Sequence, residues 1–257
     1  MRALPLILLA ACGVNETPQP APAPSLPSCV PNRDGVITAD ELPIAFDATA
    51  TYYETTSATP LTIDLDGPIW DLSTERADDE VIELGPQRLG PQWYAASYPQ
   101  GQFVIEGSDG LDGIYHQDDQ ALWLDGTASH EMTPPGGRTL VIYDRPLAVL
   151  RFPLTGGDTF VSTADHRGST IAGLPFQGTD EVTVTVTGDG RVDVPYVRFS
   201  PAFLVDTRVR RTSAGPEATR RSFIFLFECF GEVARADSRP NSNDLVYMRR
   251  FALGVTP

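Results

Sequence analysis

The chain has 257 residues, with 19 basic and 34 acidic side chains and a formal net charge of −15. Every basic residue is Arg, which excludes Schiff-base chemistry on lysine and the phosphate-loop lysine. A balance this acidic also argues against a nucleic-acid partner, because such a partner needs a basic patch.

The N-terminus has the parts of a secretory signal. Arg2 is followed by an apolar run that reaches Leu9 and then by the small residues Ala10 and Ala11. The run is shorter than the roughly twenty apolar residues that span a bilayer, so we expect it to be cleaved. Residues 1–11 are therefore predicted to be a signal peptide.

The tetrapeptide Leu9-Ala10-Ala11-Cys12 resembles the lipobox of bacterial lipoproteins. This resemblance implies that Cys12 is diacylated after cleavage just before it. Gly13 follows in place of Asp, which by the same resemblance favours the outer membrane over retention at the inner one. We expect a protein anchored by lipid at the outer membrane, on its periplasmic or outer surface. The alternative is an ordinary signal peptide with a chance cysteine.

Residues 12–28 are predicted to carry the lipid and to form a tether. Proline-rich segments with small and polar residues favour extended polyproline geometry and bury little apolar area. The prolines of this segment are Pro18, Pro20, Pro22, Pro24 and Pro27. The tether is expected to hold the folded part of the chain away from the membrane.

The stretch CVPNRDGVITADELP, residues 29–43, contains a pattern like a calcium loop. Counting back from Glu41 as the twelfth position puts Asn32 at the third and Asp34 at the fifth. This resembles an EF-hand or dockerin loop, and it implies calcium ligands on Asn32, Asp34, Glu41 and the carbonyl of Val36. The first position holds a valine instead of the usual aspartate, so the expected dissociation constant is roughly 0.1 to 1 mM.

The same residues have a structural alternative without metal. Thr38 and Glu41 have the spacing of a capping box, in which the Glu41 carboxylate accepts a hydrogen bond from the Thr38 amide. Pro43 ends such a helix within about one turn. On this alternative the residues from Asn32 to Gly35 form a turn.

The chain contains three cysteines. If Cys12 carries lipid, then Cys29 and Cys229 remain, and an oxidising envelope favours a disulfide between them. Two buried thiols are the alternative.

Strand patterns dominate from residue 44 to residue 257, which we treat as one β domain with an alternative sub-boundary near 131–137. Short apolar runs are separated by Pro and Gly, and no run has a helical apolar stripe over three turns. The clearest runs are 138–143, 148–152, 183–187, 203–209 and 222–230. We predict an all-β fold, an antiparallel sandwich, barrel or curved half-barrel sheet with very little helix.

Two of these runs allow finer predictions. In residues 182–194, valines alternate with threonines and then meet Gly188-Asp189-Gly190, which predicts a hairpin with its turn at the glycines. The run 222–230 is apolar on both faces and must be covered on both sides. Phe223, Phe225 and Phe227 share one face, which belongs either to a closed core or to the wall of an apolar ligand cavity.

Enzymatic motifs are few: GxSxG, HExxH and CxxC are absent from the sequence. His116 with Asp118 and Asp119 has the residue types of a metal cluster, and His130 with Glu131 those of an acid-base pair, but both groups lie beside turn residues, which favours surface loops. The lipobox, tether and Arg-only basic set resemble envelope lipoproteins of high-GC Gram-negative bacteria whose role is unassigned.

The expected function is therefore a non-catalytic envelope lipoprotein. Its β domain is predicted to bind or scaffold a protein or lipid partner, with the membrane reached through the lipid and with calcium as a cofactor of the N-terminal loop. A periplasmic lipid or lipoprotein carrier with an apolar cavity is the second hypothesis. A hydrolase that uses His116 or His130 is the third.

Overall fold

The computed structural model describes residues 29–46, 48–107 and 110–256, with side chains through residue 252. Strands make up 58% of these residues and helix 3%, which confirms the all-β prediction. Cys12, the predicted signal peptide and the tether lie outside the described residues. Within the described part, no helix has the length and apolar character that crossing a bilayer requires.

Eighteen strands and two short 3-10 helices lie in the described part of the chain. The helices are Ala39–Glu41 and Ala95–Ser97. In chain order the strands are β1 (Val36–Ile37), β2 (Thr49–Thr56), β3 (Ile69–Asp71), β4 (Glu80–Leu84), β5 (Gln87–Arg88), β6 (Phe103–Glu106), β7 (Leu111–Gln117), β8 (Ala121–Ser129), β9 (Leu140–Arg151), β10 (Leu154–Thr155), β11 (Thr159–Asp165), β12 (Ser169–Ile171), β13 (Leu174–Phe176), β14 (Gly178–Val194), β15 (Val197–Ser213), β16 (Ala218–Phe227), β17 (Gly231–Ser238) and β18 (Leu245–Thr256).

The strands form two large sheets and one small pair. The nine-stranded sheet has the order β11-β14-β15-β16-β17-β18-β2-β4, and β3 joins it in parallel beside β14. The seven-stranded sheet has the order β13-β12-β9-β8-β7-β6-β5, and β1 pairs with β10. The alternative sub-boundary near residues 131–137 falls in the connection from β8 to β9. These two strands are neighbours in one sheet.

The two large sheets pack face to face on an apolar core, which we call the inter-sheet core. Because side chains alternate along a strand, alternate residues of the central and β11-side strands point into it. Its members include Val182, Val184, Val186, Phe203 and Val205 of the nine-stranded sheet and Val141, Leu147 and Leu150 of β9. This core holds the β11 side of the sandwich closed.

Residues 223–227 of the run 222–230 are covered on both faces, as predicted, whereas Phe230 lies beyond the end of β16 and is 47% exposed. Leu226 belongs to the inter-sheet core, whereas the alternate residues face a second core on the outer side of the nine-stranded sheet. The segment that contains β3 closes this second core, and the Trp70 ring lies 5.4 Å from the Phe225 ring. A strand buried on two sides has apolar residues at successive positions for this reason.

The predicted hairpin within residues 182–194 is wrong. β14 runs through the glycines as one strand, and the register with β15 shifts there, so Gly188-Asp189-Gly190 forms a bulge. A Cβ on Gly190 would lie 2.6 Å from the Trp70 ring, which explains the glycine by close packing. The chain instead reverses after Val194, where Tyr196 adopts a φ of 70°.

Candidate functional site

On β17 and β18 the face turned towards the seven-stranded sheet carries charged side chains. Arg235 lies directly opposite Arg249, and a register shift between β16 and β17 brings Glu232 to the same face. Glu232 accepts hydrogen bonds from Arg249 Nε at 3.1 Å and Nη2 at 2.5 Å, and it lies 3.7 Å from Arg235 Nη1. Asp237 Oδ1 lies 3.4 Å from Arg235 Nε. Together with Tyr115 of β7, these residues form what we call the charged crevice.

Tyr115 faces these charges from the seven-stranded sheet. Its ring stacks on the Phe103 ring at a centroid distance of 5.7 Å and lies across Gly113, where a Cβ would come within 2.6 Å of the Tyr115 side chain. Burial raises the pKa of Tyr115, while the charges on Arg235 and Glu232 act in opposite directions. The phenol therefore stays protonated at neutral pH.

Glu232 and the neighbouring Tyr52 have pKa values displaced away from neutral pH. Burial opposes the charge on Glu232, but Arg235 and Arg249 outweigh it and hold the pKa of Glu232 below its usual range. The hydroxyl of Tyr52 donates to the Glu232 carbonyl at 3.0 Å, and burial is the main cause that raises the pKa of Tyr52 to about 12. General acids and bases need a pKa near the working pH, so this arrangement suits binding better than proton transfer.

Two buried atoms of the crevice have unused hydrogen-bonding capacity. Arg235 Nε and Asp237 Oδ1 form the 3.4 Å ion pair, yet neither makes a hydrogen bond within the described structure. Nearly all buried polar atoms in native proteins are hydrogen-bonded.

β4 is a free edge of the nine-stranded sheet, since it pairs with β2 and with no other strand of the described chain. One row of directly opposite residues crosses four strands to this edge: Arg235, Arg249, Glu54 and Glu80. We call it the charge row. Depressions of about 320 and 420 Å³ flank it, and both have Glu54 in their lining; the second also includes Glu106. The sandwich is thus closed by apolar packing on the β11 side and lined by charge on the β4 side.

The predicted calcium loop is a hydrogen-bonded turn. Asn32 Oδ1 accepts from the Asp34 amide and Asp34 Oδ1 accepts from the Val36 amide, both at 2.9 Å. Glu41 accepts from the Asn32 side chain at 2.7 Å and from the Thr38 amide at 2.9 Å, the latter being the predicted capping contact. No group of three or more His, Cys, Asp or Glu among the described residues is placed to hold a metal ion. Calcium binding here stays a prediction and has to compete with these hydrogen bonds.

The loop is attached to the body of the sandwich at several points. The Sγ atoms of Cys29 and Cys229 are 2.03 Å apart, at disulfide distance, so the structure has the cysteine pair that we predicted. The Cys229 amide donates to the Glu41 carbonyl at 2.7 Å. Beneath the loop, the fully buried Glu228 accepts a hydrogen bond from the Arg33 amide at 2.8 Å, and Glu228 Oε1 has no hydrogen-bond partner in the described structure.

The three phenylalanines predicted as cavity candidates are packed side chains. Phe223, Phe225 and Phe227 are at most 6% exposed and belong to the second core. The Phe227 ring lies 5.1 Å from the Phe199 ring, and Trp70 covers Phe225. Of the two alternatives, a closed core or the wall of an apolar cavity, these three positions belong to a packed core.

The candidate histidines pair with acids other than their sequence neighbours. His116 Nδ1 lies 2.7 Å from Asp125 Oδ2, and His130 Nδ1 lies 3.1 Å from Asp112 Oδ1. The hydrogen bond to Asp112 is the main cause that raises the pKa of His130. Within the described chain no serine hydroxyl bonds to either ring, so neither forms the nucleophile, base and acid array of a hydrolase.

A buried cluster around Asp180 was not identified from the sequence. Asp180 accepts two hydrogen bonds from Arg211, at 2.8 and 2.7 Å, and one from the Tyr143 hydroxyl at 2.7 Å. His166 Nε2 lies 3.2 Å from the same carboxylate. Burial opposes the charge, but Arg211 and the other donors hold the pKa of Asp180 well below its usual range. Because Tyr143 lies on β9 and Asp180 on β14, this cluster links the two large sheets.

The crevice residues were also missed, although a signal for them exists. Charged residues alternate with alanine in Ala234-Arg235-Ala236-Asp237, which indicates a strand with one charged face, whereas Glu232 is out of phase with this alternation. Nothing in that alternation shows that the charged face is turned inward. No family model, curated protein or solved structure matches the chain, so the assignment of this site depends on its geometry.

Proposed function

We propose that the chain is a non-catalytic lipoprotein of the bacterial outer membrane whose β body binds a partner molecule. In this proposal Cys12 carries the lipid and residues 12–28 act as the tether. The observation that supports the binding role is the charged crevice together with the charge row, which brings ionised side chains from the interior of the sandwich to an open edge.

The chemistry of the crevice favours binding over catalysis. Its carboxylate Glu232 is held ionised by two guanidinium groups, and Tyr52 and Tyr115 have raised pKa values. None of these shifts brings a group towards neutral pH, which is where an acid or base catalyst works best. The crevice therefore offers fixed charges and hydroxyl groups as contacts.

The other two hypotheses have less support from the described residues. A lipid carrier needs an apolar cavity, whereas Phe223, Phe225 and Phe227 are packed and the depressions beside β4 have acidic linings. A hydrolase needs a nucleophile next to His116 or His130, and each ring is paired only with a carboxylate. The proposal also includes weak calcium binding at the N-terminal loop.

The anchor is tested by expressing the full chain and the variant Cys12→Ser in a Gram-negative host. Mass spectrometry of the N-terminal peptide should find a diacylated Cys12, and the unsubstituted chain should sediment with outer membranes after a high-salt wash. Cys12→Ser should lose the lipid and leave the membrane fraction, because no acyl chain is left to insert.

Gly13→Asp is the matched control for sorting. It keeps the lipidated cysteine and, by the resemblance to bacterial lipoproteins, should move the protein to the inner membrane fraction. An unlipidated Cys12, or a Cys12→Ser variant that stays with the membranes, rejects the anchor.

A further inference from the structure

We propose that β4 is a docking edge that accepts one more strand, an extended segment of a partner protein with basic side chains three residues apart. This rests on the proposed binding function and names the class of partner. Strand addition is a common mode of recognition in which main-chain hydrogen bonds supply affinity and side chains supply specificity.

The backbone of β4 is available for this pairing. Its inner edge pairs with β2 from Glu80 to Glu54 and from Leu84 to Ala50, and no backbone hydrogen bond joins its other edge to a described segment. An antiparallel strand directs alternate amides and carbonyls to each side, so the outer edge presents unpaired groups.

The charge row determines what lies opposite Glu80. From β17 to β4 the row reads Arg235, Arg249, Glu54 and Glu80, two cations followed by two anions. Glu54 accepts a hydrogen bond from the Tyr247 hydroxyl at 2.7 Å, but Glu80 has no ion-pair partner within the described chain. Like charges directly opposite each other are unfavourable, so a cation in the next position of the row would relieve the Glu54–Glu80 contact.

The rest of β4 defines the other positions of the partner. Its first four residues are Glu80-Val81-Ile82-Glu83, and Val81 is 66% exposed. Val81 lies opposite Tyr53, whose ring is 6.4 Å from the exposed Tyr196 ring, so apolar surface accompanies the acids. The complementary strand is basic, apolar, apolar, basic, a pattern that reads the same in parallel and antiparallel addition.

A second copy of this chain fits the edge poorly. Antiparallel pairing of two β4 strands in this register would set Glu80 against Glu83 at both ends, and parallel pairing would set each acid against its own copy. Both arrangements place like charges opposite each other. Charge complementarity therefore selects a basic partner over self-association.

The test is a titration of the full, lipidated chain in detergent with the hexapeptide Thr-Lys-Val-Val-Lys-Thr, followed by calorimetry. We expect one peptide per chain and weaker binding as the salt concentration rises, since these charges are exposed. The double variant Glu80→Gln/Glu83→Gln should bind about tenfold more weakly, because both cross-strand charge pairs are lost. Asp119→Asn, in the turn between β7 and β8, is the matched control and should bind as the unsubstituted chain does.

Two further peptides separate strand addition from simple charge attraction. The same hexapeptide with both valine amides methylated should bind far more weakly, because whichever valine amide faces β4 can no longer donate to a β4 carbonyl and its methyl group prevents close approach. The acidic analogue Thr-Glu-Val-Val-Glu-Thr should not bind. Circular dichroism checks that each variant keeps the strand content of the unsubstituted chain.

The proposal is overturned by absence of binding at peptide concentrations of about 1 mM, weaker than the usual range for specific complexes. Equal binding of the methylated peptide, unchanged affinity in the double variant, or a dimer at β4 that the lysine peptide does not dissociate would also overturn it. A failed titration of lipidated protein rejects strand addition alone, whereas an unlipidated Cys12 rejects the anchor alone.

Discussion

Asp180 shows how one buried carboxylate can be made compatible with an apolar interior. Arg211 binds it through two hydrogen bonds and Tyr143 through a third, so most of its acceptor capacity is used. Both oxygens are satisfied by donors from strands of both large sheets. The carboxylate therefore stabilises the sheet contact instead of weakening it.

Asp180→Asn should lower the free energy of unfolding at neutral pH by about 2 kcal/mol. Complete loss of one partner from a buried pair costs about 3 to 5 kcal/mol, but the Arg211 side chain is 30% exposed and is partly solvated once the charge is gone. Urea denaturation at pH 7 measures the difference. An unchanged midpoint would contradict the stabilising role.

The same variant tests the direction of the pH dependence. The pKa of Asp180 is depressed in the folded state, so its contribution is present above the unfolded value of about 3.9 and is lost as the pH falls towards the folded pKa. The stability gap between the unsubstituted chain and Asp180→Asn should be constant from about pH 5 to 8 and shrink at about pH 3. Asp119→Asn serves as the control, and a gap that persists unchanged at the lower pH contradicts this linkage.

Glu228 shows where prediction from the residues stops. Its apolar neighbours in the sequence indicate a costly buried acid, for which an arginine side chain is the obvious partner. The structure instead provides the backbone amide of Arg33, a residue 195 positions away in the chain. The residue pattern around Glu228 shows that its burial is costly. It cannot show which backbone amide binds the carboxylate, because a backbone donor can belong to any type of residue except proline.

At the scale of elements, weak calcium binding by the N-terminal loop stays a prediction that can be tested. We expect a dissociation constant in the range of roughly 0.1 to 1 mM, because the first ligand position lacks a carboxylate. The ion must also displace the hydrogen bonds that Asp34 and Glu41 accept within the loop. Calorimetry on the mature protein measures this, and Asp34→Asn should weaken the binding further.

Magnesium is the control ion for that measurement, since it demands stricter octahedral geometry and should bind less well. Neither heat nor a thermal shift at about 5 mM calcium, well above the expected range, would reject the site and leave the capping box as the role of Glu41.

The strands differ in how far the sequence predicts them. The two-faced burial of residues 223–227 follows directly from apolar residues at successive positions. The same pattern extends to Phe230, which lies beyond the end of β16 and is exposed. The glycines of β14 indicate equally well a turn or a bulge, and the bulge forms because Trp70 packs where a Cβ on Gly190 would lie. β4 contains the pattern Glu-Val-Ile-Glu. Its position at the edge of the sheet depends on the order of the strands, which the residues of a single strand do not indicate.

For the whole molecule, the charge asymmetry along the chain becomes an asymmetry across the sandwich. Residues 1–131 carry 21 acidic and 4 basic side chains, and they supply Glu54, Glu80 and Glu106. The later half supplies Arg235 and Arg249. The sequence predicts the imbalance, but only the pairing of β18 with β2 brings the two halves together at the candidate site.

The bond between Cys29 and Cys229 should stabilise the whole fold. It joins residues 200 positions apart, and the chain-entropy model assigns about 5 kcal/mol to such a link, with typical measured values of about 2 to 4 kcal/mol. Cys29→Ser/Cys229→Ser should therefore unfold at lower urea concentration. A reducing agent should lower the midpoint of the unsubstituted chain and leave that of the double variant unchanged; equal midpoints before and after reduction would contradict the prediction.

The location of that bond also has a mechanical consequence. Cys229 lies between β16 and β17, in the middle of the nine-stranded sheet. A pull on the chain ahead of Cys29 is transmitted through the sulfur atoms to this central hairpin, so the short strand β1 and the turn beside it are shielded from peeling. The body would then resist tension applied through the segment ahead of Cys29, because the force reaches the middle of the nine-stranded sheet and not its edge.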